Sequence, residues 1–346
     1  MSHYLNGRTG VGPKSRERIE AAIRKLNYRP NEIARSLVLQ KTDTIGIVVS
    51  SLCNPFMFDL LNGMEEAAET SNPDSQYNVI YCSASGDPVK KQRYIKFFTN
   101  GRVDALLIYG SMQQDDELIE NLSRTNFPFA LIENDLPDVR ADKVLIDNVQ
   151  AGVRATQYLY DLGHRRIAFF VGLPYLKITN DRRRGYELAL RRNGLPLDES
   201  LILTPDYSEF TGSSIGEEHN EIARITRQEY FQSAYLAMKR FLEEGHKPPE
   251  AIFCSSDIYA FGAIKALNEK GFAVPEDVSI IGFDDEKSYE FGLSIPQITT
   301  MRQPLHQAGY LGIELLIQRI KNPGSDVRQI MLNAELIERG SCRRKN

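Results

Sequence analysis

A chain of 346 residues, 42% hydrophobic and 25% charged, is long for one compact core and suits two globular domains. No run reaches the roughly 20 apolar residues of a membrane helix, and the N-terminus lacks a signal peptide's apolar core, so a cytoplasmic location is expected. The formal net charge of −4 is unevenly spread: residues 1–43 hold nine basic and four acidic side chains, a charge of +5, which leaves −9 for the rest. A small basic module joined to an acidic body fits that asymmetry, although a solvated basic helix pair would show it too.

In chain order, KSRERIEAAIRKLNY places Ile19, Ala22, Ile23 and Leu26 at three- and four-residue spacing and predicts an amphipathic helix opening near Pro13. Pro30 interrupts the pattern, and Asn31 can cap a short second helix, NEIARSLVL. From Thr44 the texture changes. TIGIVVS, NVIYCSA, DALLIYG, FALIE and KVLID form one set of β-rich runs; RIAFFVG, SLILTP, AIFCSSD and VSIIGFD form a second. Amphipathic segments such as FDLLNGMEEAAE, QAGVRATQYLYDLG, RRGYELALRRNG, AYLAMKRFLEEG and AFGAIKALNEKG lie between them. Apolar strands alternating with helices predict βαβ units and parallel sheets buried on both faces, here an α/β fold of two lobes. The polar stretch 207–229 resists assignment and reads as an insertion or flap.

Ligands of open parallel sheets bind beyond the strands' carboxyl ends. That singles out Ser51 to Phe56 after the first strand, Ser256 and Asp257 after AIFCS, Asp284 and Asp285 after VSIIGF, and Arg182 beyond RIAFFVG. A guanidinium facing carboxylates suits a polyhydroxylated or carboxylated small molecule. Plainer readings stand beside this one. Asp257 can cap the following helix, Asp284 and Asp285 can make a turn, and Arg182 sits in the run Asp181-Arg182-Arg183-Arg184, of a kind that usually faces solvent. Neither a nucleophile elbow, a phosphate loop nor an H-E-x-x-H motif is present, so no catalytic residue, metal or cofactor is expected. Cys53, Cys82, Cys254 and Cys342 form no C-x-x-C pair and read as incidental thiols in a reducing compartment.

From its first residue to about Arg339 the chain resembles the lactose/galactose repressor (LacI/GalR) family of bacterial transcription regulators. The matching blocks are VGPKSRERIEAAIRKLNYRPNEIARSL, TIGIVVSSLCNPFMFDLLNGMEEAA, DLGHRRIAFFVG, AIFCSSDIYAFGAIKALNEKGFAVPEDVSIIGFDD and ITTMRQPLHQAGYLG. The resemblance implies two doubly wound parallel-sheet lobes, periplasmic-binding-protein-like, behind a helix-turn-helix and a hinge helix. It also implies homodimers on palindromic operators. MSHYLNG corresponds to the second half of the recognition helix, so the segment reads as a truncated DNA-binding module. Of the base-reading positions the resemblance leaves the one at His3, flanked by Ser2 and Tyr4, and operator binding by the chain as written is expected to be weak. Leu37 matches the leucine that wedges into the minor groove, Ala34 the close-packing position and Asn31 the start of the hinge helix; Arg35 would neutralise phosphate.

For the effector side, the resemblance assigns Arg182 as the ligand anchor three residues before Gly185, with Asp284 after Gly282-Phe283, Ser256 before Asp257, and Ser51 and Phe56 beside the Asn54-Pro55 turn. Tyr230 is the aromatic candidate near the helix AYLAMKRF. The expected boundaries are 1–30 for the helix-turn-helix remnant, 31–43 for hinge and linker, 44–147 plus 284–312 for one lobe, and 148–283 plus 313–346 for the other. The function implied is a ligand-responsive repressor of carbohydrate-utilisation genes, binding a sugar-like effector and operator DNA and not acting as an enzyme. Its alternatives are a regulator answering to a phosphorylated carrier protein and a solute-binding protein without DNA function.

Overall fold

The computed structural model describes residues 12–26, 41–52, 57–71, 76–110, 112, 115–173, 176–205, 207, 210, 225–286 and 297–345. The chain folds as two units, residues 1–43 and 44–346. In the first, helix α1 (Pro13–Lys25) opens with proline at its first turn and closes with Arg24 and Lys25, the signs its dipole favours. The expected apolar stripe is only half covered: Ile19, Ala22 and Ile23 are partly buried, and Leu26 is 70% exposed.

Among the described residues the second unit holds two six-stranded sheets, as the two sets of apolar runs imply. Its first lobe contains β1 (Thr44–Val49), α2 (Met57–Thr70), β2 (Asn78–Ser83), α3 (Pro88–Thr99), β3 (Ala105–Tyr109), α4 (Asp116–Ser123), β4 (Phe129–Ile132) and β5 (Asp142–Ile146). Its second lobe contains α5 (Asn148–Asp161), β6 (Ile167–Phe170), α6 (Lys177–Arg192), β7 (Ile202–Leu203), α7 (Arg227–Glu243), β8 (Ala251–Cys254), α8 (Asp257–Glu269), β9 (Ser279–Phe283) and β10 (Thr299–Arg302). Then α9 (Leu305–Lys321) and β11 (Gln329–Leu332) rejoin the first lobe, and β12 (Glu335–Ile337) ends in the second. Strand order is β11-β5-β4-β3-β1-β2 in one sheet and β12-β10-β9-β8-β6-β7 in the other. All described pairings are parallel except β10 with β12. Strands β3, β4, β6 and β8 are buried at every residue, which explains their unbroken apolar sequences.

The chain therefore passes between the sheets after β5, after β10 and after β11. Two expected boundaries shift. Residues 284–312 are not all first-lobe, because β10 pairs in parallel with β9 of the second sheet. Residues 313–346 are not all second-lobe, because α9 packs on α2 and on β3 to β5, and β11 pairs with β5. An ion pair fixes α9 there: Arg319 Nε and Nη2 donate to Asp142 at 2.9 and 3.1 Å, and Asp142 is buried. The stretch left unassigned also changes. Its end, from Arg227, is the first turn of α7, opened by a capping box between Thr226 and Glu229.

Within the second lobe, α5 and α6 cross at a pair of glycines. A Cβ at Gly185 would lie 2.2 Å from the Val149 carbonyl oxygen, and one at Gly152 would lie 2.5 Å from that of Arg182. This crossing sets the depth of the α6 turn that carries Arg182.

The lobes also touch away from the crossings. Met112, after β3, and Leu176, before α6, form an isolated antiparallel bridge, and Lys177 Nζ donates to Asp116 Oδ1 at 2.7 Å. The Met112 side of this clasp is anchored from within its own lobe by a buried ion pair of Lys91 with Asp115, whose Oδ2 also accepts from the Met112 amide at 3.4 Å. Burial pushes the Lys91 ammonium below its usual range, against the pull of Asp115. Reversing one member of the outer pair, Lys177→Glu or Asp116→Lys, should lower the melting temperature by about 1–3 °C, and combining the two should restore most of the loss. Equal, additive losses in the double variant would show that the pair does not interact.

Candidate functional site

Each sheet has one strand flanked on both sides by later strands: β1 lies between β2 and β3, and β6 between β7 and β8. At such switch points the following loops diverge and leave a crevice. In the second lobe the crevice is filled by Arg182, which is only 3% exposed although its neighbour Arg184 faces solvent. Helical periodicity makes this selection, turning one arginine of the run inward toward α5 and β8.

The guanidinium is held on several sides. Nε donates to Asn148 Oδ1 at 2.9 Å and Nη1 to the Ser255 carbonyl at 2.7 Å, just past the end of β8. Its Cζ lies 3.5 Å from the ring centroid of Phe283, and Nη1 is 3.6 Å from Asp284 Oδ1. Asp284 is held in turn by Ser256 Oγ at 2.7 Å and Gln303 Nε2 at 2.6 Å. Its φ of +102° is unusual for a side-chain-bearing residue, and the neighbouring network holds it there.

A second charged group lies behind. Glu133, at the end of β4 with φ of +57°, is buried and accepts from the Ile146 amide at 2.6 Å and from Asn148 Nδ2 at 3.0 Å. Burial pushes its carboxyl up to about 7 against the pull of these bonds and of Arg182. Together with Asp135, Asp147, Asp181, Lys177 and Arg184 it lines an interlobe cavity of about 420 Å³.

Several buried atoms around this cluster have no hydrogen-bond partner: Arg182 Nη2, Ser255 Oγ, Gln303 Oε1 and Asn134 Oδ1. Asn134 belongs to the same neighbourhood, since its amide donates to Gly110 at 3.4 Å, one residue beyond Tyr109, and the Tyr109 phenol feels Glu133, Asp284 and Arg182. Buried polar groups without partners each cost about 1–3 kcal/mol, and a polar molecule placed among them could supply the missing hydrogen bonds.

Of the residues singled out by sequence, Arg182, Ser256 and Asp284 meet here. Ser51 lies at the carboxyl end of β1 in the other lobe, half-buried. Tyr230 is in an aromatic group of the second lobe, edge-on to Tyr207 at 5.8 Å and to Tyr259 at 6.3 Å, with the Tyr207 and Tyr259 hydroxyls 2.9 Å apart. Phe56, Ser2, His3, Tyr4, Asn31, Ala34, Arg35 and Leu37 lie outside the described residues. Asp257 is not a helix cap: its buried carboxylate accepts from the Glu286 amide at 2.7 Å and the Thr300 hydroxyl at 2.9 Å. Asp285 faces away from Asp284, paired with Arg302 and Arg339 at 2.6 and 2.5 Å. Asn148, Gln303, Glu133 and Ser255 carry no local sequence signal and were missed.

Among the described residues no helix is long and apolar enough to cross a membrane, and no group of side chains could hold a metal.

Comparison with known proteins matches residues 1–31 to bacterial regulatory proteins of the lacI family. Residues 42–220 match the periplasmic binding proteins and sugar binding domain of the LacI family, and residues 156–342 match a periplasmic binding protein-like domain. The ribose operon repressor of Haemophilus influenzae is 31% identical over 344 residues, covering 99% of this chain and 93% of that protein. The HTH-type transcriptional repressor PurR of Aliivibrio fischeri is 30% identical over 343 residues, with the same coverage of 99% and 93%. Among solved structures, the transcriptional regulator CelR in complex with cellobiose superposes with a TM-score of 0.71 at 28% identity, covering 98% of this chain and 94% of that one. A LacI family regulator from Enterococcus faecium with bound ribose gives 0.66 at 25% identity, covering 88% and 100%. Matched from end to end by these relatives, the chain belongs to the LacI family of bacterial regulatory proteins.

Proposed function

We propose that this chain is a ligand-responsive transcriptional repressor of carbohydrate-utilisation genes, and that its effector is a small polyhydroxylated molecule bound between the lobes at Arg182 and Asp284. The observation that carries this reading is the group of buried, unpartnered polar atoms around that pair. They are mixed in kind, a guanidinium N–H, a hydroxyl and two amide oxygens, which suits a sugar's hydroxyls better than a purely anionic ligand. Ser256 and Gln303 orient Asp284, and Phe283 backs the guanidinium. Ser51, Phe56 and Tyr230 are proposed as further effector contacts. That relatives include a ribose operon repressor and regulators bound to ribose and cellobiose supports the substrate class.

The basic N-terminal module is proposed as the operator-binding part, with Ser2, His3 and Tyr4 at base edges and Asn31, Ala34, Arg35 and Leu37 in a hinge helix at the minor groove. An effector shifts the population of lobe arrangements only as far as it binds one better than the other, typically about 1–3 kcal/mol of coupling. Action on operator DNA sets the protein in the cytoplasm, as a homodimer. Its proposed dimer surface includes edge strand β2 and helix α2, where Ile80 is 43% and Phe58 61% exposed. Apolar side chains on an unpaired strand edge mark a pairing surface.

A thermal-shift screen across mono- and disaccharides, sugar phosphates and purines tests the site. A sugar at 100 times its Kd should stabilise the chain by about 2.7 kcal/mol, and Arg182→Ala should abolish that gain while the variant stays folded. An undiminished shift in Arg182→Ala would place the ligand elsewhere. For the dimer, Phe58→Asp with Ile80→Asp should convert a sedimenting dimer into a monomer; an unchanged sedimentation coefficient would move the interface off this face.

A further inference from the structure

Two neutral amides stand at the chain's crossings between lobes and also hold the ligand-anchoring pair. Asn148 opens α5 immediately after β5, where the chain first leaves the first sheet. Its Nδ2 donates to Glu133 at 3.0 Å and to the Ile146 carbonyl at 3.1 Å, both in the first lobe, while its Oδ1 accepts from Arg182 Nε in the second. Gln303 lies between β10 of the second lobe and α9 of the first. Its Nε2 donates to Asp284 Oδ1, and its Oε1 is buried without a partner. Each crossing is thus tied by one amide to one member of the charged pair.

We propose that Asn148 and Gln303 are positioning residues that pass the state of the Arg182–Asp284 pair to two of the three interlobe crossings. Movement of the guanidinium or carboxylate toward a bound molecule must lengthen or redirect the bond to the amide. The amide sits on backbone with few degrees of freedom: Asn148 is pinned to two first-lobe acceptors, and Gln303 is fixed between Arg302, paired with Asp285, and Pro304, which precedes α9. A charged side chain that moves in its pocket therefore pulls on the segment where the lobes hinge. Small shifts at such a place become a change of lobe angle because the sheets on either side move as packed bodies. The transmission role rests on the effector reading of the same site; the hydrogen-bond linkage does not, and it can be tested without any effector.

The experiment is a pair of double-mutant cycles on the full chain, read by backbone amide hydrogen exchange. The reporters are Ile146 and Ala151 for the first crossing and Ala308 for the second. Arg182→Ala should speed exchange at Ile146 and Ala151 about tenfold, the scale of one lost hydrogen bond to a charged group, and Asn148→Ala should do the same. Combining them should add nothing further. Asp284→Ala and Gln303→Leu should behave likewise at Ala308. Multiplying rates in either double variant, or an unaltered reporter in Arg182→Ala, would overturn the proposal. Should Arg182→Ala fail to fold, Arg182→Lys keeps a cation near Phe283 without the Nε donor and reports the same linkage. A failed thermal-shift screen with intact cycles would reject the effector reading alone; additive cycles with a clear sugar response would reject the transmission route alone.

Discussion

A guanidinium and a carboxylate taken out of water together govern this molecule. Arg182 and Asp284 are both nearly buried and only 3.6 Å apart at their closest described atoms, so their attraction offsets part of a large desolvation cost. The remainder is met by neutral neighbours: a backbone carbonyl, a serine hydroxyl and two amides. Nη2 of the arginine is left over. Such a site weakens the free protein and is suited to a ligand that completes it. The glycine crossing of α5 and α6 that sets the arginine's depth, the positive φ of Asp284 and the meeting of the strands' carboxyl ends all serve this one arrangement.

The same pair joins the lobes. Asn148 reaches it from the first crossing and Gln303 from the second, while Lys177 and Asp116 clasp the lobes at a separate place held by the buried Lys91–Asp115 pair. The bonding of this pair and the geometry of the lobes are therefore not separate properties here. On the proposed reading, a change in hydrogen bonding at the pair would reach the two crossings through single side chains.

Much of the fold was legible because a strand buried on both faces must be a continuous apolar run, and ALLIY, FALI, IAFF and AIFC are such runs. The late strands were not. TTMR, QIML and ELI are three or four residues long, and their place depends on pairing with strands far away in sequence, so the allocation of residues 284–346 between lobes could not be read locally. Residue type and position after a strand singled out Arg182, Ser256 and Asp284, which the fold brings together. The role of Asp257 was misjudged because its position at a helix start resembles a cap, whereas its partners, Glu286 and Thr300, come from other elements. Asn148, Gln303 and Glu133 were invisible for the same reason: a lone amide or carboxylate gains meaning only from what the fold sets opposite it.

The most direct test is a crystal structure of the chain bound to the compound that stabilises it most. That compound is expected between the two sheets, with an oxygen accepting from Arg182 Nη2 and a hydroxyl donating to Asp284. A ligand seated elsewhere, with the Arg182–Asp284 pair and its unpartnered neighbours unchanged, would contradict it.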